Sequence, residues 1–225
     1  KEFFANDLNS AVAETIGASL KGLEKLGATL VDVSLHSTSL GVSTYYVIAP
    51  AEASANLSRY DGVRYGYRCD NPTDLQDLYL RSRTEGFGEE VKRRILIGAF
   101  TLSAASYDQY FMKAQQVRRL ISQEYEDVLS KVDVIAGPSA PNTAFALNDS
   151  SKSITDMYME DVFTIGANLA GLPAMSVPAG IVEGLPVGMQ LIGRRFGEVD
   201  LLRLAHQFQQ RTTWHTLTPK MEERH

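Results

Sequence analysis

Cysteine is almost absent from this chain. Cys69 is the only one in 225 residues, so an internal disulfide framework is excluded and a reducing, cytoplasmic location is expected. The sequence has no apolar run of membrane-spanning length and no signal-peptide pattern at its first residues. A net charge of −5 leaves no overall basic surface for nucleic acid. These absences favour an ordinary globular protein that does not contact a membrane.

Motifs for several kinds of chemistry are missing as well. None of the four histidines has metal-ligand spacing, and a single cysteine cannot complete a site. There is no phosphate-binding loop, no dinucleotide fingerprint and no G-x-S-x-G nucleophile elbow. The cluster Ser150-Ser151-Lys152-Ser153 is interpreted as a polar loop or a helix start. A catalytic Ser/Lys pair must converge in space with an oxyanion site, and adjacency in sequence does not indicate that.

Length, composition and the helix–strand pattern predict one α/β domain, 1–225, with a polar tail at 212–225 that is loose apart from Trp214 and Leu217. The stretch 153–193 is predicted to form one helix, from about Asp156 to Ala170-Gly171, followed by two buried strands at 174–178 and 187–192. Two further strands are predicted at 28–35 and 132–136. Other helices are predicted at 8–27, preceded by Asn6 and Asp7, and at 43–57, 71–86, 89–102, 107–131 and 199–208.

Two charged side chains are candidates for binding a small zwitterion. Arg94 shares one side of its predicted helix with Val91 and Gly98, and Asp161 lies inside the predicted helix at 153–171. A fixed guanidinium can bind a carboxylate bidentately, and an aspartate can bind an ammonium group. From composition alone, a surface charge or a structural ion pair is the simpler interpretation of either residue. Side-chain packing is the simpler interpretation of Tyr45.

Several segments resemble the amidase-signature family. They are TYYVIAPAEASANLSRYDGVRYGYR (44–68), SRTEGFGEEVKRRILIGAF (82–100), YDQYFMKAQQVRRLI (107–121), DVIAGPSAPNTAF (133–145) and the whole of 153–193. The pieces GLPAMSVPAG and LPVGMQLIG resemble sequences shared across that family. AEASANLSRYDGVRYG and SRTEGFGEEVKRRI resemble the glutaminase subunits of tRNA-dependent amidotransferases. The resemblance implies a partial amidase-signature fold of the α/β class, with a mixed β-sheet flanked by helices.

The resemblance also implies an activity. Such a subunit releases ammonia from glutamine, and a partner subunit uses it, with ATP and Mg²⁺, to amidate glutamate or aspartate on misacylated tRNA. No cofactor is implied for this chain itself. The implied partners are glutamine, the B and C subunits of the complex and, through the complex, tRNA. By position in the matching motifs, Arg94 would hold the glutamine carboxylate, Asp161 its ammonium group, and Tyr45 would line the pocket.

The family's catalytic lysine and two serines have no counterpart here. They lie in a Gly/Ser-rich segment of the family's N-terminal half, and no such segment occurs in this sequence. We therefore expect the chain to be a C-terminal portion that is inactive alone. Two alternatives remain open: another amide hydrolase of the same family, and a non-catalytic assembly module for partner subunits.

A sheet separated from the rest of its domain would expose a strand edge and apolar surface. We therefore predict that the isolated chain is less stable than a full-length protein and self-associates. Sedimentation velocity and thermal unfolding would measure both properties. A monodisperse monomer with a high, sharp melting transition would contradict the prediction.

Overall fold

The structure, a computed structural model, describes residues 1–4, 8–147 and 153–219. The chain divides into two compact units. The first comprises the described residues of Lys1–Val42 and Arg119–His225, and the second is Ser43–Arg118. The predicted α/β class is confirmed, whereas the assignment of 1–225 to a single domain stays a prediction. Within the described ranges, no helix combines the length and apolar character needed to cross a membrane.

Helices supply most of the regular structure. Their bounds are α1 Ser10–Lys25, α2 Gly41–Leu57, α3 Leu75–Gly86, α4 Glu89–Thr101, α5 Lys113–Leu129, α6 Ile154–Met159, α7 Ile165–Ala170 and α8 Glu198–Gln209. A π-helical turn at Tyr107–Met112 precedes α5, and short 3₁₀ turns lie at Glu2–Phe4, His36–Leu40 and Trp214–Thr216. The predicted helices near 8–27, 43–57, 71–86, 89–102 and 199–208 are thus confirmed with shifted ends.

Three strands form a sheet in the first unit. They are β1 Val134–Pro138, β2 Ala174–Val182 and β3 Leu185–Gly193, in the order β1-β3-β2. Both pairs are antiparallel, so the parallel pairs of a mixed sheet do not occur among these described strands. The predicted strands near 132–136, 174–178 and 187–192 are confirmed. Glu183 and Gly184 turn the β2–β3 hairpin with φ values of 51° and 82°, the two positive angles typical of tight hairpin turns.

The predicted strand at 28–35 is wrong. None of these residues belongs to a strand, and Leu30 and Val31 are 44% and 59% exposed. The Leu35 amide donates to a carboxylate oxygen of Glu2 at 2.7 Å instead of to a neighbouring strand. Alternation of apolar and polar residues marks a segment that suits a strand. A strand forms only when a partner supplies the ladder of backbone hydrogen bonds, and no described segment pairs with this one.

The single helix predicted for 153–171 is two short helices. Its ends are confirmed: Ser153 and Asp156 form a capping box at the start of α6, and Gly171 ends α7 with φ 67°. Residues 160–164 between them form a turn. There the amides of Val162 and Thr164 donate three residues back, a tighter winding than the α-helix. Within this turn the Phe163 side chain is 5% exposed, and its ring centre lies 5.3 Å from that of Phe3, a tertiary contact that local periodicity does not contain.

The core of the first unit lies between the sheet and helices α1 and α8. Its fully buried members are Val12, Ile16, Leu23, Val177, Ala179, Val187, Met189, Leu191, Leu201, Ala205 and Phe208. The α1 members recur at helical spacing, as expected for a helix that buries one face.

The structure describes part of each end of the first unit. Asn9 caps α1 by accepting hydrogen bonds from the amides of Ala11 and Val12. Asn6 and Asp7, the residues predicted to start this helix, lie outside the described residues. In the predicted tail, Trp214–Thr216 contacts β2. Residues 220–225 also lie outside the described part of the chain.

In the second unit, α4 packs closely on α2 because Gly98 has no side chain. A Cβ atom at Gly98 would overlap the carbonyl oxygen of Pro50 and lie 2.6 Å from Ser54 Cβ. Pro50 lies inside α2. The backbone of α4 therefore touches the backbone of α2 directly. Arg94 lies one turn before this contact, so its side chain can reach α2.

The segment 58–68 is a loop of turns and bends between α2 and α3. The Asp61 carboxylate organises it. Its oxygens accept hydrogen bonds of 2.9 Å from the amides of Arg64 and Val63 and from the Arg64 guanidinium. Those amide bonds, with a smaller contribution from the guanidinium, lower the pKa of Asp61 to about 2. At the start of the loop, Arg83 donates to two backbone carbonyl oxygens.

Gly98→Ala is expected to destabilise the protein by about 1–3 kcal/mol, because the added methyl group forces α4 away from the Pro50 carbonyl. The free energy of unfolding in urea measures this change. Gly17→Ala is the matched control: it also lies inside a helix, but its Cβ would meet nothing within 4 Å. The control should stabilise the protein by roughly 0.5–1 kcal/mol, so equal effects of the two variants would contradict this account.

Acid should weaken the fold through Asp61. Its folded-state pKa of about 2 lies below the ordinary value, so the ionised carboxylate stabilises the fold above about pH 4. This contribution is lost as the pH falls from about 4 to about 2. Asp61→Asn should lower the free energy of unfolding at pH 7 and flatten its pH dependence in that window. Asp70→Asn, two residues beyond this loop, is the control, and an equal flattening in both variants would contradict the assignment.

Candidate functional site

Arg94 is held at two of its nitrogen atoms. Its Nε donates to Oε1 of Glu90, one turn earlier on α4, at 3.0 Å, and its Nη1 donates to the Tyr45 hydroxyl on α2 at a longer 3.3 Å. The guanidinium carbon lies 5.9 Å from the centre of the Tyr46 ring, within range of a cation–π contact. The Arg94 side chain is 30% exposed, so one part of it stays open to solvent.

The electrostatics keep Arg94 charged. Burial by itself would lower the pKa of the guanidinium. The hydrogen bonds with Glu90 and Tyr45 and the charge of Glu90 outweigh that effect, so the pKa of Arg94 lies above its ordinary value. Arg94 is therefore a permanent cation in a defined orientation.

The donors of Arg94 that remain suit a carboxylate ligand. Within the part of the chain that the structure describes, Nη2 has no hydrogen-bond partner, and Nη1 uses only one of its two hydrogens. These two nitrogens form the outer edge of the planar guanidinium, which is the geometry that binds a carboxylate bidentately. Arg94 is thus placed to hold an anionic group next to the Tyr45 hydroxyl.

Asp161 lies elsewhere than the sequence predicted. It is in the 160–164 turn between α6 and α7 and is exposed, so the expectation of a carboxylate inside a helix is wrong. Its backbone oxygen accepts hydrogen bonds from the amide and the hydroxyl of Thr164, both at 3.0 Å. Asp161 belongs to the first unit, and Arg94 and Tyr45 belong to the second. Arg94 and Tyr45 thus contact each other within the second unit. Asp161 lies in the first unit and is not part of that contact.

Glu90 and Tyr46 are the residues around Arg94 that sequence reasoning missed. Glu90 has a signal in the sequence, because an acidic residue four positions before an arginine on a helix is a familiar stabilising pair. Tyr46 has no such signal, since its contact with Arg94 depends on how α2 and α4 pack. Arg94 therefore forms an ion pair and still has donors for a ligand, so the two interpretations of this residue are compatible.

A second site, a cavity of about 260 Å³, lies in the first unit against the sheet. Its lining includes Ser139, which follows β1, Ser176 of β2 and Gln190 of β3. The two serine hydroxyls lie 2.7 Å apart, and the buried Gln190 amide donates to the carbonyl oxygens of Pro138 and Phe163. The described lining contains no titratable side chain, so it offers hydrogen bonds but no acid–base group.

The described residues offer no metal centre. Across 1–4, 8–147 and 153–219, no group of three or more His, Cys, Asp or Glu side chains is placed to hold a metal ion.

Two solved structures share the fold of this chain over most of its length. The crystal structure of the A subunit of glutamyl-tRNA(Gln) amidotransferase from Thermotoga maritima matches with a TM-score of 0.67 and 46% identity, covering 91% of this chain and 40% of that one. A bacterial aryl acylamidase matches with a TM-score of 0.69 over 93% of this chain and 42% of its own. At 20% identity, the second match shows the fold alone.

The sequence comparisons agree. The family model described as Amidase matches residues 1–202, and the chain belongs to that family. The A subunit of glutamyl-tRNA(Gln) amidotransferase from Saccharophagus degradans is 59% identical, over 97% of this chain and 45% of the relative. The same subunit from a Marinomonas species is 54% identical, over 98% of this chain and 46% of the relative. The chain closely resembles these subunits and spans just under half of their length.

Proposed function

We propose that this chain is the substrate-recognising part of a glutaminase subunit. The full-length protein hydrolyses the side-chain amide of glutamine to glutamate and ammonia, and the ammonia amidates glutamate or aspartate carried on a misacylated tRNA. The single observation that carries the proposal is the ordered, permanently charged guanidinium of Arg94 beside the Tyr45 hydroxyl. The high identity to subunits named for glutamyl-tRNA(Gln) amidotransferase supports it.

In this proposal the chain recognises the α-amino-acid end of glutamine. Arg94 binds the α-carboxylate through the outer edge of its guanidinium, where two parallel hydrogen bonds fix the plane of the ligand. Tyr45 lines the same pocket and keeps that edge in place through its hydroxyl. Asp161 binds the α-ammonium group. Recognition of the zwitterion at this end leaves the side-chain amide for the reacting groups, which the proposal assigns to the remainder of the full-length protein.

The other reactants belong to the partner subunits in this proposal. ATP and Mg²⁺ activate the carboxylate of the misacylated residue there, and no step of glutamine recognition passes through them. The proposed partners are the B and C subunits of the complex, and tRNA is reached through them. The isolated chain is proposed to be inactive, because it has no counterpart of the family's Gly/Ser-rich catalytic segment.

Ammonia release from glutamine tests the proposal. The isolated chain should release none above background. The full-length protein with its partner subunits should release ammonia saturably, and Arg94→Ala should raise its KM for glutamine roughly 100-fold, since hydrogen bonds between charged groups are each worth about 1.5–3 kcal/mol. With an ammonium salt as the amide donor, the variant should keep its amidation activity, because that donor bypasses the glutamine pocket.

Lys92→Ala is the matched control for Arg94→Ala. Lys92 lies on the same helix and pairs with the exposed Glu89, so its loss should change KM little. Saturable release by the isolated chain that Arg94→Ala abolishes would mean that a nucleophile is present in these residues, and the proposal would be wrong. Hydrolysis of other amides with no preference for glutamine would favour the alternative of a different amide hydrolase. Co-purification with the partner subunits, with no effect of Arg94→Ala, would favour an assembly module.

A further inference from the structure

Glu90 makes contacts that the glutamine-recognition proposal does not use. It lies in the first turn of α4, one turn before Arg94. One carboxylate oxygen accepts a hydrogen bond from Arg94 Nε at 3.0 Å, and the other accepts one from Arg93. The Glu90 side chain is 42% exposed, so its carboxylate is hydrated as well as paired. Its stabilising effect as a surface ion pair is therefore small. A role in holding Arg94 is independent of that effect.

For ligand binding, the orientation that the Glu90 hydrogen bond gives to the Arg94 guanidinium matters more than the strength of that bond. An arginine side chain has many rotamers and loses about 2 kcal/mol of conformational entropy when it is fixed. A carboxylate bound at Nε restricts rotation about the bonds nearest the guanidinium and leaves the Nη1–Nη2 edge outside this contact. The Tyr45 hydroxyl then holds Nη1 from the opposite helix. A ligand carboxylate meets a preformed pair of donors, and the ordering cost is not subtracted from its binding.

We propose that Glu90 is a positioning residue that fixes the orientation of the Arg94 guanidinium and so sets the affinity for the substrate's α-carboxylate. This inference rests on the proposed function, in which Arg94 binds that carboxylate. Glu90 acts through Arg94 and does not touch the substrate. Its negative charge partly offsets the cation, so its benefit to binding comes from geometry and not from attraction of an anion.

Two substitutions separate geometry from charge. Glu90→Ala removes both the acceptor and the charge, whereas Glu90→Gln keeps an acceptor oxygen for Arg94 Nε and removes only the charge. In the full-length protein with its partner subunits, Glu90→Ala should raise KM for glutamine about tenfold, equivalent to about 1.4 kcal/mol, with kcat changed less than about twofold. Glu90→Gln should restore KM to within about threefold of the unsubstituted protein, since the acceptor that orients Arg94 is kept.

Glu89→Ala is the matched control. Glu89 is the adjacent acidic residue on α4 and pairs with Lys92, away from Arg94. It should leave KM unchanged. A glutamine derivative whose α-carboxylate is converted to an amide provides a second readout. Because this substrate does not engage Arg94, the Glu90→Ala variant and the unsubstituted protein should have about the same KM for it.

The outcomes are distinguishable. Equal KM increases for Glu90→Ala and Glu90→Gln would overturn the geometric role. An unchanged KM in Glu90→Ala, together with a raised KM in Arg94→Ala, would overturn the positioning role and leave the proposed function intact. If Arg94→Ala itself leaves KM for glutamine unchanged, the proposed function fails, and the positioning role fails with it.

Discussion

The close contact between α4 and α2 at Gly98 is the constraint on which the candidate site depends. Because the α4 backbone touches the Pro50 carbonyl group, Arg94 comes within 3.3 Å of the Tyr45 hydroxyl. That hydrogen bond is already at the long end of the usual range, so a separation of the helices by even about 0.5 Å would remove it. The absence of a side chain at Gly98 thus decides whether the guanidinium is hydrogen-bonded to Glu90 alone or to both Glu90 and Tyr45.

Only the local part of this site has a signal in the sequence. Gly98 and Arg94 share a helix face at a spacing that could be read directly, and the ion pair with Glu90 follows the same rule. The Tyr45 contact joins residues 49 positions apart, so no periodicity contains it. The position of Asp161 could not be predicted for a different reason. A turn that contains the buried Phe163 interrupts the predicted helix, and helical periodicity gives no signal for that interruption.

In the fold as well, features set by neighbouring residues were predicted, and the feature that depends on a distant segment was not. Turn and cap signals located the β2–β3 hairpin and both ends of the 153–171 region, since Gly171 and Ser153 act on their immediate neighbours. The error at 28–35 arose where the structure depends on a partner. Its alternating pattern suits a strand, but the amide of Leu35 bonds to Glu2. An alternating pattern predicts which face of a segment is apolar. Which segment pairs with it depends on the rest of the fold.

The division of the chain into two units has a consequence for how this family can diversify. Arg94, Glu90 and Tyr45 all lie within Ser43–Arg118, whereas the sheet lies in the other unit. The residues proposed to recognise a carboxylate therefore lie in one continuous segment of the sequence. Substitution within that segment would change the recognised group without altering the core of the unit that contains the sheet. Differences in ligand recognition between proteins of this fold are therefore expected to lie in the segment that corresponds to Ser43–Arg118.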